Sequence, residues 1–175
     1  MPSRVVGELR RALDATWARL NAQLQGMESH LERSDAPGEW TTRQVLSHLL
    51  SQPGWRPLPV LFAFTTDDPP VIEIQPGQTY VTPERQMMRL HQFVKALDRH
   101  RLEVFEYLET LSDEDLRARH ARIALFKPLV GTDEVTIPVW VRTLFGVHWD
   151  DHAGQLAKIR KAVGLPEATG PHGPD

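Results

Sequence analysis

Residues 141–163 read VRTLFGVHWDDHAGQLAKIRKAV, and apolar side chains recur in this stretch at intervals of three and four residues. That spacing places them along one face of an α-helix. His148 and His152 lie on the same face, one helical turn apart. We therefore predict a long helix that begins near Thr136 or Pro138 and carries two inward-facing histidines.

The same periodicity predicts three earlier helices. The first covers residues 3–33, the second begins at Thr41 and stops near residue 52, and the third covers residues 82–111. Thr41 and Gln44 have the spacing of a capping box, which favours a helix start at this point. Four helices with two long connections indicate an all-α four-helix bundle.

The connections carry weaker patterns. Residues 58–64 are apolar enough for a short helix, and the proline-rich residues 65–79 are expected to form an irregular crossover with a brief extended piece at 71–74. Ser112 resembles the cap of another short turn. Residues 117–134 have no sustained period, so we expect a long loop that covers the site.

Composition limits the classes of protein that the chain can represent. With 175 residues, of which 41% are hydrophobic, we expect a single domain over residues 1–166 and a disordered tail over residues 167–175. The net charge of −3, without a long basic run, argues against nucleic-acid binding. The absence of cysteine excludes disulfides, thiolate ligands and a cysteine nucleophile. No signal peptide or apolar span is apparent, so we expect a soluble, cytoplasmic protein without membrane contact.

The histidine pair predicts a metal site. Side chains at i and i+4 on a helix have Cβ atoms about 5–6 Å apart, which is close enough for both imidazoles to bind one ion. His48 occupies a core-spaced position on the second helix and is the candidate for a third ligand, with His91 in reserve. The alternative is that these histidines are structural and form hydrogen bonds to carbonyl or carboxylate groups.

Polar and aromatic neighbours of the pair leave several interpretations open. Asp151 could accept a hydrogen bond from a histidine, bind the ion through oxygen, or be an ordinary solvated acid. Gln155 could face the site or the solvent. Trp17 and Trp40 are predicted as core and helix-staple residues, whereas three other tryptophans could either line a pocket or only pack: Trp55, Trp140 and Trp149.

Two blocks of the sequence carry a family resemblance. Residues 40–49, WTTRQVLSHL, and residues 148–160, HWDDHAGQLAKIR, are together similar to the DinB/YfiT-like family of metalloenzymes. The resemblance implies an up-down-down-up bundle with one metal bound by His48, His148 and His152, and it implies homodimers. The sequence departs from the usual pattern of that family at residues 51–57, where relatives tend to continue a helix.

The resemblance also suggests a function. We expect a divalent metal ion (zinc, nickel, iron or manganese) and a small-molecule substrate. Related members transfer bacillithiol, mycothiol or glutathione, so the leading hypothesis is a metal-dependent low-molecular-weight thiol S-transferase with a thiol cosubstrate. One alternative is a metal-assisted hydrolase with Asp151 as proton acceptor. Another is a non-catalytic, stress-related binding bundle.

Overall fold

The structure, a computed structural model, describes residues 3–169, so most of the predicted tail at 167–175 lies outside the described residues. The helices are α1 (Arg4–Leu24), α2 (Thr42–Leu49), α3 (Pro57–Phe62), α4 (Pro83–Met87), α5 (Leu90–Leu108), α6 (Asp113–Ala118), α7 (Lys127–Val130), α8 (Ile137–Arg142) and α9 (His148–Ala162). Two short strands are β1 (His120–Arg122) and β2 (Glu134–Thr136). No helix within residues 3–169 is both long and apolar enough to cross a membrane.

Helices α1, α2, α5 and the α8–α9 run form the bundle, and α1 lies parallel to α9. Asp150, near the start of α9, pairs with Arg19 on α1. Arg160, near the end of α9, donates a hydrogen bond to the carbonyl of Gln25, just past the end of α1. The two helices therefore advance in the same direction along their shared interface.

Helices α2 and α5 also run parallel to each other and opposite to α1. Arg10 near the start of α1 pairs with Glu109 at the end of α5, whereas Arg43 in the first turn of α2 donates to the carbonyl of Met88, immediately before α5. The four bundle helices therefore run up, down, down and up in chain order, as the resemblance implied. The all-α four-helix bundle is confirmed, with one small sheet added. Its core includes buried side chains from each bundle helix: Leu13, Leu20, Val45, Leu46, Phe93, Leu97, Val141 and Leu156.

The helices agree with the predictions more closely at their starts than at their ends. Thr41 and Gln44 form a complete capping box at α2. The first helix, predicted to reach residue 33, ends at Leu24 because Gly26 adopts a left-handed φ of 78° that a helix cannot contain. Helix α2 ends three residues before the predicted stop at residue 52, and Ser51 turns the chain away with a φ of 61°.

The predicted third helix is two helices. The chain leaves helical geometry at Met88, where ψ is 139°, and α5 begins at Leu90. The reason lies in a neighbouring side chain, because the buried guanidinium of Arg43 donates hydrogen bonds to the carbonyls of Arg85 and Met88, which would accept from backbone amides in a continuous helix.

The predicted loop at residues 117–134 contains regular structure. Strands β1 and β2 pair in antiparallel register, with Ala121 opposite Val135 and both side chains fully buried. Val71, from the expected extended piece of the crossover, forms a single bridge with Arg122. The sheet therefore ties the crossover and this segment together over one end of the bundle.

A π-helical turn, Thr143–Val147, joins α8 to α9. Its defining bond runs from the amide of His148 to the carbonyl of Thr143, five residues earlier. The helical run as a whole begins at Ile137 after Thr136, where the sequence predicted it. His148 is the first residue of α9 and thus follows the π turn directly.

Candidate metal centre

The three predicted histidines converge where α2 packs against α9. One ring nitrogen of each histidine lies within 4.8 Å of the corresponding nitrogens of the other two. The closest pair is His48 Nε2 and His148 Nε2, 2.9 Å apart. His152 is buried, with 8% of its surface exposed, and the other two rings are half-buried.

Hydrogen bonds on the far side of two rings orient them. His48 Nδ1 lies 2.6 Å from the carbonyl oxygen of Gln78, and His152 Nδ1 lies 2.8 Å from Oε1 of Gln155. These oxygens accept hydrogen bonds, so the Nδ1 atoms donate and carry the ring proton. The Nε2 atoms are then left as lone-pair donors, as a metal-binding imidazole requires.

At 2.9 Å, His48 Nε2 and His148 Nε2 are close enough to share one proton in a hydrogen bond or to bind one cation. Two neutral rings that present lone pairs to each other at 2.9 Å repel unless a proton or a cation lies near both nitrogens. Two nitrogens that each lie about 2.0–2.1 Å from one ion are themselves about 3.0–3.4 Å apart. The donor set, three imidazole nitrogens without a carboxylate, suits zinc, nickel or iron.

Burial keeps His148 and His152 neutral. Desolvation, together with the nearby rings of His152 and His48, lowers the pKa of His148 to about 3, although the backbone carbonyl of Leu144 acts in the opposite sense. Desolvation also lowers the pKa of His152, against the opposing effects of Gln155 and Asp151. Both imidazoles therefore keep their lone pairs available near pH 7.

One arginine ties together the segments on both sides of His48. The Arg85 guanidinium donates to the carbonyls of Ser47 and Tyr80, at 3.0 and 3.3 Å, and to the carbonyl of Ser51. Ser51 and Tyr80 both have positive φ values, 61° and 54°, a conformation that is costly for residues other than glycine. The bonds from Arg85 hold both turns, and with them the nearby carbonyl of Gln78.

The histidines line a cavity of about 400 Å³. Residues 117–134, predicted to cover the site, contribute Leu125, Phe126 and Leu129 to its wall. The crossover contributes a second wall, and the departure from the family pattern at residues 51–57 places Trp55 on a third. This volume falls within the range of small-molecule sites, about 300–1,000 Å³.

The other candidate residues have different positions. Asp151 is exposed, and no hydrogen bond joins it to the histidines among the residues that the structure describes. Its predicted role as a partner of the site is taken by Gln155. His91 lines a separate groove between α1 and α5.

Sequence reasoning did not identify Trp40 or Gln78 as contributors to the site. Trp40, predicted as a helix staple, lines the cavity and stacks on His152 with an interplanar angle of 3° and a centroid separation of 6.2 Å. Its position directly before the capping box was the available signal. The contribution of Gln78 is a backbone carbonyl, which no side-chain pattern reveals. Trp140 lines the cavity, whereas Trp149 packs against Trp17 at 5.4 Å.

Comparison with known proteins supports the fold. No protein-family profile matches the chain, and no curated protein sequence matches it significantly. Among solved structures, the chain is similar to YfiT from Bacillus subtilis, described as "a probable metal-dependent hydrolase with an unusual four-helix bundle topology". The match has a TM-score of 0.68 and 18% identity, and it covers 92% of this chain and 89% of YfiT. The resemblance predicted from the two sequence blocks is thus confirmed as a likeness of fold.

Proposed function

We propose that this protein is a metal-dependent enzyme that acts on a small organic molecule, with His48, His148 and His152 as the metal ligands. The observation that carries the proposal is the convergence of three imidazole nitrogens on the wall of a cavity. A divalent ion in such a site supplies Lewis acidity and lowers the pKa of a bound water or thiol. The description of YfiT as a probable metal-dependent hydrolase supports the same class.

The chain itself orients the donors and shields them. The Gln78 carbonyl and the Gln155 amide fix two rings, and partners of this kind typically change metal affinity about 10–100-fold when removed. Trp40 covers one face of His152. Because the cavity wall is largely aromatic and aliphatic, a bound substrate meets the histidines in a medium of low dielectric constant, where electrostatic interactions are stronger than in water.

Hydrolysis is the reaction that we favour, since water is its only cosubstrate and YfiT is described as a hydrolase. Asp151 is exposed and does not line the cavity, so we no longer assign it as proton acceptor. Thiol transfer is the second candidate. The carboxylate on the cavity wall is Glu73, which is exposed and is therefore not a buried base. A thiol has a pKa of about 8.5 and so needs a buried base less than water does.

The first experiment is elemental analysis of untagged protein by plasma mass spectrometry. We expect about one divalent ion per chain in the parent and little in the His148→Ala/His152→Ala double variant, because both donors are lost. His91→Ala is the matched control, and it should retain the ion because His91 lies in a different groove. Absence of metal from the parent, even after reconstitution with zinc, nickel, iron and manganese, would show the cluster to be structural.

The second experiment separates the two reactions. The metal-loaded protein is assayed with esters, amides and alkyl halides, each with and without bacillithiol, mycothiol or glutathione. Turnover of an ester or amide without thiol supports hydrolysis, and turnover that requires a thiol supports transfer. In either case, the activity should disappear in the double variant.

A further inference from the structure

The charge of the cavity wall is informative about the substrate. Within residues 3–169, the cavity is lined by neither lysine nor arginine, and its charged side chain apart from the histidines is Glu73. Phosphate and carboxylate groups of ligands are ordinarily recognised by arginine or lysine. The wall therefore offers no side-chain cation to an anionic substituent.

The shape and chemistry of the wall favour a flat apolar body. Trp40, Trp55, Tyr80, Phe126 and Trp140 line the cavity. Aromatic side chains bind planar apolar groups through offset or edge-to-face contacts, and they also attract organic cations.

Glu73 lies on an exposed part of the cavity wall. Its neighbour Ile74 is also exposed, with 38% of its surface accessible, whereas His152 on the same cavity wall is 8% exposed. No arginine, lysine or histidine of the described chain lies within ion-pair distance of the Glu73 carboxylate. A ligand that extends from the buried histidines to this exposed part of the wall would thus meet an uncompensated negative charge at Glu73.

We propose that the substrate is a small aryl-substituted alkylamine, whose reacting group lies at the histidines, whose ring packs in the aromatic cavity and whose ammonium group lies beside Glu73. This inference rests on the proposed metal-dependent function, and it specifies the class of molecule that the site selects.

The test uses zinc-loaded protein and four hydroxamic acids as probes. Each probe has the same metal-binding head, so the attraction of the ion for that head is common to all. The probes are acetohydroxamic, benzohydroxamic, 4-(aminomethyl)benzohydroxamic and 4-carboxybenzohydroxamic acid. Dissociation constants are measured by calorimetry at low and at moderate ionic strength, for the parent and for Glu73→Gln. Glu106→Gln, which removes an exposed carboxylate on α5, is the matched control.

We expect benzohydroxamic acid to bind at least about tenfold more tightly than acetohydroxamic acid, because its ring leaves water. The aminomethyl probe should bind about three- to tenfold more tightly than the carboxy probe, less so at higher salt. Glu73→Gln should reduce the ratio of the dissociation constants of the carboxy and aminomethyl probes, and Glu106→Gln should leave that ratio unchanged.

Three outcomes would overturn the inference. Equal binding of the amino and carboxy probes would show that Glu73 does not bind an ammonium group, and so would a ratio of their dissociation constants that is unchanged in Glu73→Gln. Either result would leave the metal-dependent function intact. Equal binding of acetohydroxamic and benzohydroxamic acid would show that the cavity does not favour an aromatic ring. A protein that takes up no zinc and binds no probe would overturn both the inference and the function on which it rests.

Discussion

Acidification should destabilise the metal-free protein, and His148 should account for much of the loss. In the folded protein, burial beside two other imidazoles lowers the pKa of His148 to about 3, whereas a histidine in an unfolded chain titrates near about 6.5. Below pH 6.5 the unfolded chain therefore binds a proton that the folded chain does not. Stability is highest above this pH, falls as the pH drops through the window from about 6.5 to 3, and then levels off.

The size of the effect follows from this difference in proton binding. Each pH unit below 6.5 lowers the free energy of unfolding by about 1.4 kcal/mol for one such histidine. Between pH 7 and pH 5 the free energy of unfolding falls by about 2 kcal/mol for any folded-state pKa of His148 that lies well below 5. Burial also lowers the pKa of His152, which adds a loss in the same direction.

Urea unfolding followed by tryptophan fluorescence, with a chelator present, measures this dependence at pH 7, 6 and 5. His148→Gln removes the titrating group and should reduce the difference between pH 7 and pH 5 by about 2 kcal/mol. His91→Gln, a change at an exposed position on α5, should keep the dependence of the parent because the cluster is intact. If the parent and His148→Gln lost the same stability on acidification, the argument from burial would be refuted.

Three further changes test the site and the bundle. Gln155→Leu should weaken zinc binding about 10–100-fold, measured by competition with a chelating dye, because His152 loses the acceptor of its ring proton; unchanged affinity would contradict that role. Leu46→Ala should lower the free energy of unfolding by about 2–5 kcal/mol in urea titrations, because this side chain is fully buried; a loss below about 1 kcal/mol would place it outside the core. Arg43→Met should cost about 2–4 kcal/mol, since the carbonyls of Arg85 and Met88 lose their donor; amide exchange that stayed slow at the start of α5 would contradict this.

The sequence predicts the parts of this fold that depend on local chemistry. The capping box at Thr41 and Gln44 and the periodic stripe through Leu156 specify where helices begin and which faces are buried, and the structure agrees with both. These signals arise within a few residues of one another. These signals can therefore be recognised without knowledge of the rest of the chain.

Other features depend on contacts between distant residues and were not predictable. The break at Met88 results from a guanidinium on α2, 45 residues away in sequence. The three-residue strands of the small sheet are too short to show an alternating pattern. The histidines were identified from their spacing, but their approach to within 4.8 Å depends on how α2 and α9 are aligned, which one sequence does not show.

The π-helical turn separates the residues that shape the cavity wall from the two histidines of α9. A π turn is equivalent to one extra residue within an α-helix, and the flanking helices keep their phase around it. Thr143 and Leu144 of the turn line the cavity, while His148 and His152 follow it on α9. Gain or loss of one residue here would rearrange the wall that meets the substrate and leave both imidazoles in place. A single-residue insertion or deletion at this turn is thus compatible with the histidine cluster, whereas one between His148 and His152 would destroy their i, i+4 spacing.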